Sequence, residues 1–272
     1  MATLNELKKR LRSIKTTGQL AGAMKTVSTA KYSKLCSVLE QYRPYAREAF
    51  GMLSAAGAAA LPSAEGGKSL IVVISGNRGL CGGYNSEVLA RFASEYKSAA
   101  GNVYCAAVGR VASEYCAANG IEFEYFDIPD VPSYSDSKPL AEYIRGEFFS
   151  GRASGVTVVY QQFVNMLTQV PVSKRLLPLE GGSAGGGEML FVPDRAAVSE
   201  GLTEQCIDAA LYETVLEAAS GAQAATLMAM RAAYDNASES ELALTKSINS
   251  RRQTEVTASV IETASGFADT VE

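Results

Sequence analysis

Residues 202–272, LTEQCIDAALYETVLEAASGAQAATLMAMRAAYDNASESELALTKSINSRRQTEVTASVIETASGFADTVE, contain no proline and read as one helix. At about 1.5 Å per residue it spans on the order of 100 Å, more than a domain built from this chain can cover. Such a helix needs a partner along its length. The opposite end of the chain offers one. Thr3 and Glu6 form a capping-box pattern ahead of Leu4, Leu7, Leu11 and Ile14, which starts a helix within the first few residues. The 3, 4, 3 spacing of that series is a heptad seam. Read by its apolar residues, the seam passes a gap at Gly18, continues through Ala21, Met24 and Val27, and resumes with slipped phase at Leu35, Leu39 and Tyr42. Pro44 is expected to kink or break this helix, which resumes from Tyr45 to about Ala56.

Charge favours the same pairing. Residues 1–47 carry ten lysines and arginines against Glu6 and Glu40, whereas residues 203–272 carry eleven acidic residues against Arg231, Lys246, Arg251 and Arg252. The two ends attract each other.

Between them the pattern changes. LPSAEGGKS (61–69) punctuates the chain, and SLIVVIS (69–75) is apolar without alternation, as a strand covered on both faces is. Helices are expected at 86–99, 110–118 and near 138–149, with strands at 103–108, 121–126 and 156–163 and an extended stretch, PVSKRLLPL, at 171–179. This alternation predicts an α/β, Rossmann-like domain with a mainly parallel sheet. The organisation expected is an N-terminal coiled-coil helix over 1–57, the central α/β domain over 68–195 and a C-terminal coiled-coil helix over 202–272. GGSAGGGE (181–188) reads as a flexible loop. With the α/β domain between them, the two helices leave and return at one place, so they pair antiparallel. The longer one overhangs, and its end, TEVTASVIETASGFADTVE (254–272), is small, apolar and sparsely charged. A free end of that kind implies something that encloses it.

Composition excludes much chemistry. The chain has no histidine, which removes the commonest general base and metal ligand and any Ser-His or Cys-His nucleophile pair. Its five cysteines (Cys36, Cys81, Cys105, Cys116, Cys206) are widely spaced without a CxxC pair, so neither a disulfide framework nor a zinc site is expected. No stretch reaches the roughly 18 apolar residues of a membrane span, and the start, MATLNELKKRLRS, lacks the apolar block of a secretory signal. A chain without cofactor or metal is expected.

Two motifs point elsewhere. The turn Ser75-Gly76-Asn77-Arg78-Gly79-Leu80-Cys81-Gly82-Gly83 lies after a strand and before a helix, where a phosphate binds in a doubly wound sheet, but its glycines do not match GxGxxG. Gly67-Lys68-Ser69 fails as a P-loop because Pro62 stands where the first glycine belongs and a strand follows. A tight structural turn outweighs nucleotide binding here. Cys81 near a helix start has the position of a nucleophile, without a histidine to activate it. The basic run Lys8-Lys9-Arg10-Arg12-Lys15 suits nucleic acid or an anionic membrane less well than an acidic protein partner, since the pI is near 5.2 and no aromatics interleave.

SIKTTGQLAGAMKTVSTAK (13–31) resembles the signature of gamma subunits of F-type ATP synthases, close to SI-x-x-T-x-x-I-x-x-AM-x-x-V-x-x-AK. RGLCGGYN (78–85) is similar to that family's post-strand turn, AMRAAYDNASE (229–239) to its AM-x-x-A-x-x-NA, and INSRRQTEVTAS (248–259) to its N-x-x-RQ-x-x-IT-x-E. Order and spacing hold along the whole chain. The sequence departs at Asn77, where the family usually has Asp, at Ser259, where it has Glu, and at Met189-Leu190-Phe191-Val192-Pro193, against its Y-x-F-E-P.

The resemblance implies a non-catalytic central stalk. Its coiled coil turns inside a hexamer of alternating alpha and beta subunits, and its α/β domain rests on the c-subunit ring beside the epsilon subunit. Ion flow is thereby coupled to ATP synthesis or hydrolysis. The chain would be peripheral to the membrane, on the cytoplasmic face of a bacterial plasma membrane. Met24 and Lys25 would lie near an acidic segment of the beta subunit, and Arg252, Gln253 and Thr257 would meet loops of the hexamer. Two other readings stand beside it: an α/β nucleotide-binding module with coiled-coil arms, and a scaffold whose helices recruit partners without rotating. Calorimetric titration with ATP, ADP and NAD separates the first, and copurification with alpha and beta subunits the second.

Overall fold

The computed structural model describes residues 3–56, 67–99, 101–179 and 194–268. In chain order the elements are α1 (Leu4–Ala55), β1 (Lys68–Ile74), α2 (Tyr84–Ser98), β2 (Val103–Val108), α3 (Arg110–Ala118), β3 (Phe123–Phe126), α4 (Tyr134–Phe149), β4 (Ala153–Phe163), β5 (Gln169–Leu177) and α5 (Arg195–Ala268). They form two units, residues 28–227 and residues 1–27 with 228–272, and α1 and α5 contribute to both.

In the first unit the sheet runs β3-β2-β1-β4-β5. The pairs β1/β2, β1/β4 and β2/β3 are parallel, and β4/β5 is antiparallel. The stretch 171–179, expected only as extended, thus supplies most of an antiparallel edge strand. β1 is apolar on both faces because both are covered. Leu70, Val72 and Ile74 enter one core with Leu140 and Ile144 of α4 and Ile207 and Leu211 of α5. Ile71 and Val73 enter the other with Val88 and Phe92 of α2 and Ala112 and Cys116 of α3.

α5 is buried almost all round between Cys206 and Met230. Ile207, Leu211, Val215 and Ala218 face the sheet. Tyr212 and Leu216, on another face, meet Leu35 and Leu39 of α1. Each such aliphatic side chain contributes about 1.5–3 kcal/mol by leaving water. One carboxylate is buried there too. Glu217 is held by Arg43 of α1 at 2.7 Å and accepts a hydrogen bond from the Tyr160 hydroxyl at 3.0 Å. Its charge is therefore balanced rather than stranded.

In the second unit the amino-terminal part of α1 lies against the carboxy-terminal part of α5. Lys15 pairs with Glu241 at 3.2 Å, and a Cβ built on Gly18 or Gly22 would stand 3.2 Å from Ala237 or Tyr234. Numbers rise on one helix as they fall on the other, so the pair is antiparallel.

The seam of α1 differs from its apolar reading. Buried and half-buried positions follow an unbroken 3, 4 alternation from Leu4 to Ala56 through Gly18, Ala21, Lys25, Ser28, Tyr32 and Leu35. The phase does not slip. The seam is continued by small and long polar residues, which fill it with methylene stems or admit a close neighbour. Val27, expected on it, is 55% exposed. Pro44 does not break α1, which runs through it. The proline lies on the exposed face, where the carbonyl it frees one turn earlier is open to water.

Three helices start earlier than expected, α2 by a small margin at Tyr84. α4 begins at Tyr134 because the Asp136 carboxylate reaches back to the Ser133 N–H at 2.7 Å and to its hydroxyl at 2.6 Å. α5 begins at Arg195, directly after Asp194, a favoured residue type at a helix start. The expected loop at 181–188 and the segment 189–193 lie outside the described residues.

Gly109 joins β2 to α3 at φ +87°, and a Cβ there would stand 2.4 Å from the Ser75 carbonyl oxygen. Gly109→Ala is therefore expected to cost about 3 kcal/mol or more in denaturant unfolding. Gly79→Ala, whose Cβ would meet nothing within 4 Å, is expected to cost no more than about 0.5 kcal/mol in the same measurement.

Candidate functional site

The Gly-rich turn is closed from within. The Gly76 N–H donates to Asn85 Oδ1 at 2.9 Å, and the Asn85 amide donates to the Arg78 carbonyl at 3.0 Å and approaches Cys81 Sγ at 3.2 Å. A carboxamide of the chain itself thus fills the concavity that an anion would need. At the start of α2 the Glu87 carboxylate reaches back to within 2.9 Å of where a Gly83 Cβ would be, so the positive helix end already has its negative charge. Cys81 is buried, and burial pushes its thiol up despite hydrogen bonds that act the other way. A thiol that ionises less readily is a poorer nucleophile. Burial likewise raises Cys105 to about 12 and Cys116 and Cys206 each to about 11.

Asn77, where an aspartate was the family expectation, joins three segments. Its amide donates to the Ile128 carbonyl at 2.7 Å and lies 3.5 Å from Asp130 Oδ1, and its oxygen accepts from the Arg110 N–H at 3.2 Å. Asp130 in turn meets Lys31 of α1 at 2.6 Å. An aspartate at 77 would set two carboxylates against each other; the amide turns that approach into attraction. Burial raises the Asp130 carboxyl, but the hydrogen bond and charge of Lys31, with Arg78 and Asn77 nearby, outweigh it and hold the group below its usual range.

At the other end of the strands is an open depression of about 580 Å³, lined among others by Lys68, Tyr104, Glu122, Glu124 and Glu147. Glu147 is already engaged by the Tyr104 hydroxyl at 2.8 Å and by Arg152. Among the described residues no cluster of three or more acidic or cysteine side chains is arranged to hold a metal, and no helix is long and apolar enough to cross a membrane.

The residues singled out by sequence lie on the helix pair at two stations. Met24 and Lys25 are half-buried on α1, with Met24 beside the seam rather than in it. Lys25 Nζ stands 4.5 Å from the centroid of the Tyr234 ring. Arg252, Gln253 and Thr257 are exposed on α5. Arg252 follows Tyr234 by eighteen residues, about 27 Å along the axis, so the two groups form separate contacts and not one site. Gln253 and Thr257 share a face one turn apart, and the Thr257 hydroxyl donates to the Gln253 carbonyl at 2.8 Å.

This turning back is a habit of the pair. Thr16, Thr26, Thr245 and Thr254 all donate to the carbonyl four residues earlier. Each hydroxyl is satisfied by its own helix, which leaves methyl groups for a neighbour. From 252 to 261 the helix is exposed at every position, including Val256 at 57%, Val260 at 62% and Ile261 at 62%.

Asn85, Asp130 and Tyr234 were missed in the sequence. Asn85 closes the motif RGLCGGYN (78–85), and Tyr234 is the one aromatic residue among the small ones of AMRAAYDNAS; Asp130 left no signal.

A family model described as ATP synthase matches residues 3–269. The ATP synthase gamma chain of Pelotomaculum thermopropionicum is 34% identical over 281 residues, covering 98% of this chain and 99% of that one. That of Desulforamulus reducens is 32% identical with the same coverage. Among solved structures, a chain of the Euglena gracilis mitochondrial ATP synthase, OSCP/F1/c-ring, in rotational state 3 matches with TM-score 0.70 and 19% identity, over 97% of this chain and 93% of that one. A chain of the Tetrahymena thermophila mitochondrial ATP synthase central stalk and c-ring matches with TM-score 0.61 and 18% identity, over 79% of this chain and 99% of that one. At these identities the likeness is one of fold.

The depressed Asp130 carboxyl gives a pH test. A carboxyl lower in the folded state than its unfolded value of about 3.9 contributes stability above about pH 4, lost as pH falls through the folded value. Asp130→Asn is expected to lower the melting temperature at pH 7 and to reduce the further loss on acidification below about pH 4, followed by circular dichroism.

Proposed function

Since the chain belongs to the ATP synthase gamma chain family, we propose that it is the central-stalk rotor of a bacterial F-type enzyme, at the cytoplasmic face of the plasma membrane. It is a non-catalytic subunit. The division 1–57, 68–195 and 202–272 becomes functional: the two helices are the shaft, and the domain between them is the part that meets the c-subunit ring and the epsilon subunit. Alpha and beta subunits, alternating in a hexamer, surround the shaft and carry out the ATP chemistry. The Gly-rich turn is occupied by Asn85, which weighs against a nucleotide phosphate there.

The observation that carries this reading is the exposure of α5 at every position from 252 to 261. A helix exposed on every side, with three large aliphatic residues, is stable in water only if a partner encloses it. A sleeve of subunits is that partner. A shaft coupled to three equivalent neighbours biases their open and closed states through the differential free energy of its contacts, because each neighbour meets a different face. Lys25, with Met24 beside it, acts at one station against an acidic segment of the beta subunit. Arg252, Gln253 and Thr257 act at the other, against loops of the hexamer. Methyl-bearing threonines leave few polar bonds to be broken as the faces change.

Reconstitution of this chain with its alpha and beta subunits is expected to give a complex that rotates on ATP. A chain that stays apart from both subunits would refute the assignment. In the complex, Arg252→Ala is expected to lower rotation-coupled hydrolysis about tenfold or more, the scale of a lost charge-assisted hydrogen bond. The unfolding free energy of the isolated chain should move by less than about 0.5 kcal/mol, since Arg252 is an exposed helix position.

A further inference from the structure

Gly18, Gly22 and Lys25 lie on one face of α1, four and then three residues apart. Opposite them on α5 stand Ala237 and Tyr234. A Cβ on Gly22 would meet Tyr234 Cδ2 at 3.2 Å and Cε2 at 3.3 Å. Glycine at 22 therefore creates a notch in which the edge of the ring rests directly on the backbone of α1. One turn further along α1, the same ring carries the Lys25 ammonium over it, 4.5 Å from the centroid. That distance lies within the reach of a cation–π contact.

A lysine on a helix surface has a long stem with several free torsions, and its charge occupies a wide arc around the axis. Resting on a ring whose own position is set by the notch, it occupies a narrower one. The ring does this without adding an opposite charge of its own, unlike Glu241 toward Lys15 or Asp130 toward Lys31. In a shaft that works by presenting different faces, the angle at which a charge is presented is part of the signal.

We propose that Tyr234 is a positioning residue for Lys25: its ring, seated in the Gly22 notch, fixes the angle at which the Lys25 ammonium meets an acidic segment of the surrounding subunit. The proposal rests on the reading of Lys25 as a partner contact.

The test uses the chain reconstituted with its alpha and beta subunits and reads ATP-driven rotation, with the spread of dwell angles, and the hydrolysis rate. The melting temperature of the free chain serves as the structural readout. Tyr234→Phe keeps the ring and is expected to behave as the parent. Tyr234→Leu keeps apolar bulk without the ring face, and is expected to widen the dwell angles and lower the rate two- to five-fold, the equivalent of roughly 0.5–1 kcal/mol for an exposed cation–π contact. Gly22→Ala displaces the ring by a few tenths of an ångström and is expected to act in the same direction, which provides a second route if the leucine variant folds poorly. In a Lys25→Ala background, Tyr234→Leu should have no further effect. An equal effect in that background, or a rate loss that follows the melting temperature, would overturn the positioning role and leave Lys25 as a contact. If Lys25→Ala alone changes neither rotation nor rate, the partner reading of Lys25 fails and the role of Tyr234 falls with it.

Discussion

A largely apolar helix buried almost all round is stable only between two surfaces that cover it, and α5 from Cys206 to Met230 is such a helix. The sheet provides one surface through Leu70, Val158 and their neighbours, and α1 provides the other through Leu35 and Leu39. Removing either would expose a continuous apolar face. The α/β domain and the amino-terminal helix are joined largely through α5, with direct links where Lys31 meets Asp130 and where Ala49 and Leu53 enter the sheet core. So much of α1 in residues 28–55 is therefore small or aliphatic where it is buried. The buried Glu217, held by Arg43 on one helix and Tyr160 on a strand, ties the three layers at one polar point. A network of that kind adds little net stability but penalises any other register of the helices, because a slip would strand a charge.

Polar groups elsewhere follow the same economy. In the Gly-rich turn, Asn85 takes up the backbone groups that a ligand would otherwise use. On the helix pair, threonine hydroxyls return to their own carbonyls. The threonine methyls add apolar surface between the charged side chains of the pair, Lys25 and Arg252 among them. Contacts of low directionality would suit the rotor role proposed above, since strong and specific bonds to one neighbour would hold it there.

Much of this was legible in the sequence, and the failures have physical causes. β1 and β2 were legible because burial on both faces produces uninterrupted apolar runs, whereas β3, FEYF, is half-buried to exposed. β5 was harder to read, since an edge strand with Pro171, Lys174 and Arg175 lacks that signature. The seam of α1 was misjudged in its middle because hydrophobicity was taken as the mark of a buried position. At Gly18, Lys25 and Ser28 the seam is defined by closeness of approach, and small or long-stemmed residues serve there better than Val27 would. Pro44 was expected to interrupt the helix, a rule that weakens when the affected carbonyl faces water. Tyr234 and Asp130 act through pairings between distant parts of the chain that no local pattern encodes.

The unbroken 3, 4 alternation of α1 has a consequence for chirality. A seam that repeats every 3.5 residues on helices of 3.6 residues per turn winds the pair into a left-handed supercoil. Along Leu4 to Val27, where α1 lies on α5, a twist in one sense tightens this winding and a twist in the other opens it. The pair is thus a handed spring, with unequal stiffness toward clockwise and anticlockwise load. Around Gly18 and Gly22 a close approach of the two helices coincides with residues of weak helix propensity on α1.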